Sequence, residues 1–259
     1  MVLMMIFFTN CSEDKHRYRE VKRGGMLDSI IEYEGGMQKG MIICYYPDGK
    51  TIKWSERTDG DMPIGVQVFY YPSGRISDYA SNGGKFGIWY VKNFYENGFL
   101  KSIHCHFFSK KSGSIGTVYD YYRNGAMHRY NCLTYDGECM YVILKDSLGN
   151  QIKEEGVTFD PSIHCNVKTD SVKLNKEINF DLIVARPPSK VSKLIVYDLN
   201  EKMKILSKQI IYPDTFLVRL NRTYKESGIK YISIVGELYN KNGELVLRDS
   251  AGKQLLVQN

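Results

Sequence analysis

Tryptophan is nearly absent from this chain of 259 residues, 2 Trp against 20 Tyr and 11 Phe. Long apolar runs are missing too: beyond the first residues no stretch approaches the roughly 20 apolar residues that a spanning helix needs, so the body of the chain is expected to be soluble. The six cysteines, Cys11, Cys44, Cys105, Cys132, Cys139 and Cys165, share no short repeated spacing, which argues against a zinc ribbon or a dense disulfide framework. Catalytic signatures are lacking. The chain has no Gly-Xaa-Ser-Xaa-Gly elbow, no Walker glycine loop and no His-Glu-Xaa-Xaa-His, so neither an enzyme nor a cofactor is expected. No cluster of basic residues appears. Of the net charge of +6, residues 1–167 contribute nothing, with 19 Lys+Arg against 19 Asp+Glu, whereas 168–259 carry 16 against 10. Scattered lysines of this kind read as a solvated surface, and no nucleic-acid partner is expected.

What is abundant is tyrosine, a side chain favoured in strands, and glycine at regular intervals. Gly25, Gly49, Gly74, Gly98, Gly125 and Gly149 are separated by 24, 25, 24, 27 and 24 positions. Such a period marks a repeat array. Four of these glycines close turns that read Tyr46-Pro47-Asp48-Gly49, Tyr71-Pro72-Ser73-Gly74, Tyr95-Glu96-Asn97-Gly98 and Tyr122-Arg123-Asn124-Gly125. Asn-Gly and Asp-Gly supply the positive φ that tight β-connections demand. A further aromatic precedes each turn at Tyr45, Tyr70, Phe94 and Tyr121, and an apolar residue follows the first five of the six glycines by five positions, at Ile30, Trp54, Tyr79, Ile103 and Tyr130. Gly40, Gly65, Gly87 and Gly116 are expected to stand just before the incoming strands. The unit is strand, turn, strand, and stacked hairpins would bury a continuous aromatic face. The unit around Asp146-Ser147-Leu148-Gly149-Asn150 lacks both aromatics and reads as a cap, and a longer loop at Lys110-Lys111-Ser112-Gly113 is expected to interrupt the array.

These turns resemble MORN-repeat variants, most closely in Tyr-Tyr-Pro-Asp-Gly-Lys, Tyr-Tyr-Pro-Ser-Gly-Arg and Tyr-Glu-Asn-Gly-Phe-Leu-Lys-Ser. The resemblance covers about half of the chain and implies tandem hairpins in an elongated, twisted sheet over residues 20–165. It implies two kinds of role: secreted or lipidated bacterial proteins, and antitoxins that neutralise a partner toxin.

From about Val167 the rhythm changes to strand-length apolar runs, Ile178 to Val184, Leu194 to Tyr197, Ile205-Leu206, Phe216 to Leu220, Tyr231 to Gly236 and Leu245 to Leu247. Pro187-Pro188, Asn200-Glu201, Pro213-Asp214 and Asn242-Gly243 punctuate them. Some seven short strands in 168–259 suggest an immunoglobulin-like β-sandwich. The fold expected is therefore all-β: a tandem β-hairpin repeat sheet followed by an Ig-like sandwich.

At the other end, Met1-Val2-Leu3-Met4-Met5-Ile6-Phe7-Phe8 is an uncharged apolar run that stops before Thr9-Asn10-Cys11-Ser12-Glu13-Asp14. It is too short to span a bilayer and has the character of a secretory h-region. Placed before Cys11, it resembles a bacterial lipoprotein signal, with residues 1–19 as signal and linker. That resemblance implies lipidation of Cys11, anchorage to a membrane through the lipid, and residence in the cell envelope at the outer membrane.

The functional expectation is a non-catalytic binding or structural module with an unknown protein or glycan partner. The alternative is an antitoxin-like protein. Tyr45, Tyr70, Phe94 and Tyr121 are the candidate partner-binding aromatics. His104-Cys105-His106 with His164-Cys165 offers zinc-compatible residue types, and a hydrolase working through His104 or His164 is a third reading. Strand alternation places Cys105 opposite His104 and His106, so no metal is expected.

Overall fold

The computed structural model describes residues 16–60, 62–82, 87–107, 113–166 and 170–258. Cys11 and the apolar run before it lie outside the described residues, as does Val167. Every regular element described is a strand, so among the described residues no helix is long and apolar enough to cross a membrane.

Twelve strands form one antiparallel sheet in strict sequence order. They are β1 (His16–Arg23), β2 (Met26–Glu34), β3 (Met37–Tyr45), β4 (Ile52–Asp59), β5 (Met62–Tyr70) and β6 (Ile76–Asn82), then β7 (Ile88–Phe94), β8 (Leu100–Phe107), β9 (Ile115–Tyr121), β10 (Met127–Leu133), β11 (Cys139–Lys145) and β12 (Gln151–Gly156). The tandem-hairpin expectation holds. β8 pairs directly with β9, so the sheet is continuous there, while Lys110, Lys111 and Ser112 of the expected loop lie outside the described residues.

The turns have a common construction. The glycine N–H reaches back three residues, from Gly49 to the carbonyl of Tyr46 at 2.9 Å, Gly74 to Tyr71 at 2.8 Å and Gly125 to Tyr122 at 2.9 Å. Each of these glycines has positive φ, +80° at Gly74 for example. The ladder beside each turn shifts register, as in a type I turn followed by a glycine bulge. The second tyrosine of the turn then ties one hairpin to the next. Tyr46 Oη donates to the Tyr70 carbonyl at 2.6 Å, Tyr71 Oη to the Phe94 carbonyl at 2.7 Å, and Tyr122 Oη to the Lys145 carbonyl at 3.0 Å. Arg75 Nη1 on the Glu96 carbonyl (2.8 Å) and Asn124 Nδ2 on the Ser147 carbonyl (3.2 Å) add rungs. At the last turn Asp146 replaces the tyrosine and folds its carboxylate onto the Leu148 and Asn150 amides, so this turn receives a rung and passes none on through that residue.

Two details depart from the sequence reading. The turn at Tyr46 is one residue longer than those at Tyr71 and Tyr122: Tyr45 pairs with Ile52, three residues past Gly49, whereas Tyr70 pairs with Ile76, two past Gly74. A slip of one residue moves a side chain to the opposite face. Ser55, not Trp54, therefore shares the row of Val68 and Tyr79, and Trp54 lies on the other face with its ring centroid 6.4 Å from that of Phe69. Likewise Gly40, Gly65 and Gly116 stand inside β3, β5 and β9, not ahead of them, at points where their strand advances four residues against two on its partner. These are bulges, and the strands extend beyond them. Gly87 alone immediately precedes its strand.

The chain divides into two compact units, one holding Met1–Asn82 with Phe94–Gly98 and the other Gly83–Asn93 with Phe99–Asn259. In the first, burial is sparse, confined to residues such as Ser29, Ile42, Thr58 and Ala80. Its described strands belong to a single sheet, and Tyr45, Tyr70 and Phe94 at their ends are only half-buried.

The second unit adds two further sheets. One has the order β13-β15-β18, from β13 (His164–Cys165), β15 (Glu177–Ile183) and β18 (Leu217–Thr223). The other has the order β14-β20-β19-β16-β17, from β14 (Ser171–Lys173), β16 (Val191–Asn200), β17 (Ile205–Ile211), β19 (Gly228–Tyr239) and β20 (Leu245–Gln258). They pack face to face as a β-sandwich around Ile178, Phe180, Leu182, Leu194, Val196, Ile232, Ile234 and Leu255. β20 runs eleven residues past the expected Leu247, because its alternation rests on small and polar residues such as Ala251 and Gly252.

The unbroken run Leu182-Ile183-Val184-Ala185 has a specific cause. Leu182 and Val184 enter the sandwich core, while Ile183 and Ala185 join a second core with Tyr130, Cys132, Tyr141 and Ile143 of the hairpin sheet. A strand end buried on both faces loses its polar alternation.

Loss of one rung tests the turn ladder. Tyr71→Phe removes only the hydroxyl and is expected to lower unfolding stability by about 1 kcal/mol, read from urea denaturation. A second pair of variants tests the bulges. Gly116 has φ +59° and an ideal Cβ there would lie 2.0 Å from the Phe216 ring, whereas Gly65, at φ +79°, meets nothing within 4 Å. Gly116→Ala is expected to cost about 3 kcal/mol, Gly65→Ala only the backbone penalty of about 1 kcal/mol, measured the same way.

Candidate functional site

In the second unit, strand pairing lines up two rows of side chains on the face of the hairpin sheet turned toward the sandwich. Ile103 pairs with Tyr119, Tyr119 with Tyr130 and Tyr130 with Ile143, while Thr117 pairs with Cys132 and Cys132 with Tyr141. The aromatic rings meet along this face. Tyr119 lies edge-on to Tyr130 at 5.2 Å, Tyr130 edge-on to Tyr141 at 6.2 Å, and Tyr121 stacks on Tyr119 at 6.3 Å. The sandwich covers this row unevenly: Tyr130 is 0% exposed and Tyr141 2%, but Tyr119 is only half-buried and Tyr90 is 36% exposed.

Where the cover ends, a cavity of about 500 Å³ opens. Its floor is Tyr90 of β7, Ile103 and Cys105 of β8, and Thr117 and Tyr119 of β9. Its walls are two sandwich loops, Arg186 to Lys190 after β15 and Asp214 to Phe216 before β18. The volume falls in the ordinary range for small-molecule sites.

The wall is held in place from beneath. The Arg186 backbone N–H donates to the Tyr130 hydroxyl at 2.8 Å, and Ser192 Oγ donates to the Ala185 carbonyl at 2.6 Å. Lys190 bonds to the Glu154 carboxylate, which also accepts from the Tyr141 hydroxyl. Arg186 Nη1 bonds to the Asp214 carbonyl and so joins the two loops. Ser189 sits at φ +65°, a left-handed conformation unusual outside glycine, and turns the loop back toward β16.

Several polar groups on the lining find no internal partner. Among the described residues the hydroxyls of Tyr90, Tyr119 and Ser189 and the Asp214 carboxylate make no hydrogen bond, and the Arg186 guanidinium has no carboxylate partner. Burial raises the Tyr90 and Tyr119 phenols, although Arg186 opposes the shift at Tyr119. Burial also pushes the Cys105 thiol up to about 12. All three therefore keep their protons at neutral pH, so the phenols are hydrogen-bonding groups and the thiol is not a nucleophile.

The aromatics singled out from sequence, Tyr45, Tyr70, Phe94 and Tyr121, are the last residues of β3, β5, β7 and β9. None of the four lines the cavity, although Tyr121 stacks on its floor residue Tyr119. The zinc-compatible residues separate by face: the rings of His104 and His106 lie 6.2 Å apart, while Cys105 is buried in the opposite core. His164 packs on the Tyr135 ring at 4.2 Å. Among the described residues no three His, Cys, Asp or Glu side chains converge as a metal site would require, and the five cysteines there are free thiols.

Sequence reasoning missed Tyr90, Tyr119 and Arg186. A signal was present: four and two residues before the strand-end aromatics the repeats carry Met41 and Ile43, then Val66 and Val68, whereas the later units substitute Tyr90 and Tyr119 into those columns. No family model matches the chain, and no curated protein matches it.

The Glu154 carboxyl gives the wall a pH signature. Burial alone would raise it, but the hydrogen bonds from Lys190 and Tyr141 and the charge of Lys190 hold it below the usual carboxylate range. A depressed folded-state pKa contributes stability that is present above the unfolded pKa and lost as pH falls through the folded value. Glu154→Gln is therefore expected to melt below the wild type at neutral pH and to converge with it in acid, followed by thermal denaturation across a pH series.

Proposed function

We propose that this chain is a non-catalytic binding module of the bacterial cell envelope, a MORN-variant hairpin array carrying an Ig-like module and tethered by lipid on Cys11. The observation that carries the binding role is the half-open cavity, lined by protonated phenols and unpaired polar groups on a pinned framework. Sites of this kind, apolar with a few placed polar groups, are the usual form of a ligand pocket. A non-catalytic reading fits the muted chemistry of the lining, where the one thiol is desolvated and the phenols are raised by burial.

Strand order supports the Ig-like assignment. A three-stranded sheet faces a five-stranded one in which β14 runs parallel to the end of β20, and β17 extends the larger sheet beyond β16 as the added strands of variable-type domains do. The tether rests on the apolar run Met1 to Phe8 shortly before Cys11. One acyl chain binds membranes only marginally, and the multiple chains of a lipoprotein anchor hold stably.

Metabolic labelling of the full chain with a fatty acid in a Gram-negative host tests the tether. Label is expected in the membrane fraction and is expected to vanish in Cys11→Ala. Unlabelled protein in the soluble fraction would contradict the envelope reading.

A further inference from the structure

The cavity floored by Tyr90 and Tyr119 carries a mixture of groups that narrows its ligand. Two phenol rings, from β7 and β9, present flat apolar surface and hydroxyls without internal partners. Arg186 and Asp214 stand on the adjacent walls, exposed, and their side chains do not pair with each other although the guanidinium reaches the Asp214 backbone carbonyl.

That arrangement disfavours the simpler ligands one by one. An anion would gain from Arg186 but meet the Asp214 carboxylate, and a cation would meet the converse. A purely apolar ligand would cover the phenol hydroxyls and leave them unsatisfied, which costs on the order of 1–3 kcal/mol each. A peptide strand would need a row of backbone groups to pair with, and the lining strands β8 and β9 already pair with their neighbours. What remains is an uncharged molecule that has apolar ring faces and many hydroxyls, each able to donate to a carboxylate and accept from a guanidinium.

We propose that this cavity binds an uncharged saccharide, with a sugar ring lying against Tyr90 or Tyr119 and its hydroxyls bridging Arg186 and Asp214. The inference rests on the binding-module reading and gives it a ligand class. The aromatic floor supplies contact area, and the two opposite charges supply orientation. Tyr90 and Asp214 are exposed and outside both cores, so replacing them leaves the fold intact. Tyr119, packed on Tyr130, is the less suitable first target.

The test titrates the full-length protein, with tyrosine rings isotopically labelled, with four probes observed by NMR. These are β-1,4-linked oligomers of glucose and of N-acetylglucosamine, an α-1,4-linked glucose oligomer, and an oligomer of galacturonic acid. At least one neutral oligomer is expected to shift the Tyr90 and Tyr119 resonances, with affinity falling at least tenfold in Tyr90→Ala and several-fold in Asp214→Ala while the melting temperature holds. Preference for the galacturonic oligomer would overturn the uncharged assignment, as would neutral binding unaffected by both substitutions. If no saccharide shifts these resonances but a peptide fraction of an envelope extract does, the ligand class is wrong and the binding reading stands. If neither does, both fall.

Discussion

A phenolic hydroxyl of one turn held by the backbone carbonyl of the next turn is the contact on which the hairpin array depends. A hairpin alone is marginal in water, and a sheet whose strands all come from short turns has only ladder bonds and partly exposed side chains to keep successive hairpins together. In the first unit this problem is acute, since few side chains are fully buried there. The bonds from Tyr46 to Tyr70 and from Tyr71 to Phe94 answer it locally. They also account for the two aromatics at the turns of Tyr46, Tyr71 and Tyr122: the first ends a strand, and the second reaches across to the neighbouring hairpin.

The second unit solves the same problem differently. There the sandwich lays Ile183, Ala185, Phe216 and Leu238 over the sheet and forms a core with Tyr130, Tyr141 and Ile143. The cavity is a consequence of where that cover stops. Tyr119 and Tyr90 continue the sheet's inner face past the last covering residues, and the loop from Arg186 to Lys190, fixed by the Tyr130 hydroxyl and by Glu154, forms the rim. Structural contacts and the candidate site thus use the same tyrosine row, buried at one end and open at the other.

Much of this was legible in the chain. Glycine spacing and the paired aromatics gave the hairpins, since Asn-Gly and Asp-Gly turns constrain the backbone locally. The strand-length runs after residue 170 gave the sandwich. The failures were those of register and of tertiary cover. One additional residue in the bend after Tyr46 sends Trp54 to the opposite face, and composition holds no record of it. The bulges at Gly40, Gly65 and Gly116 look like strand boundaries in a one-dimensional reading because glycine marks both. The cavity was hidden for a further reason: the strand-end aromatics repeat and attract notice, whereas Tyr90, Tyr119 and Arg186 come together only where distant loops stop short of the sheet. Pro187-Pro188 reads as punctuation, yet it belongs to a wall of the cavity.

The second tyrosines hold successive turns together, and hydroxyl-proton exchange measured by NMR on tyrosine-labelled protein tests this most directly. Tyr46, Tyr71 and Tyr122 are predicted to show slowly exchanging hydroxyl protons, with Tyr212, 65% exposed, as the fast internal reference. Exchange at all three as rapid as at Tyr212 would contradict the account.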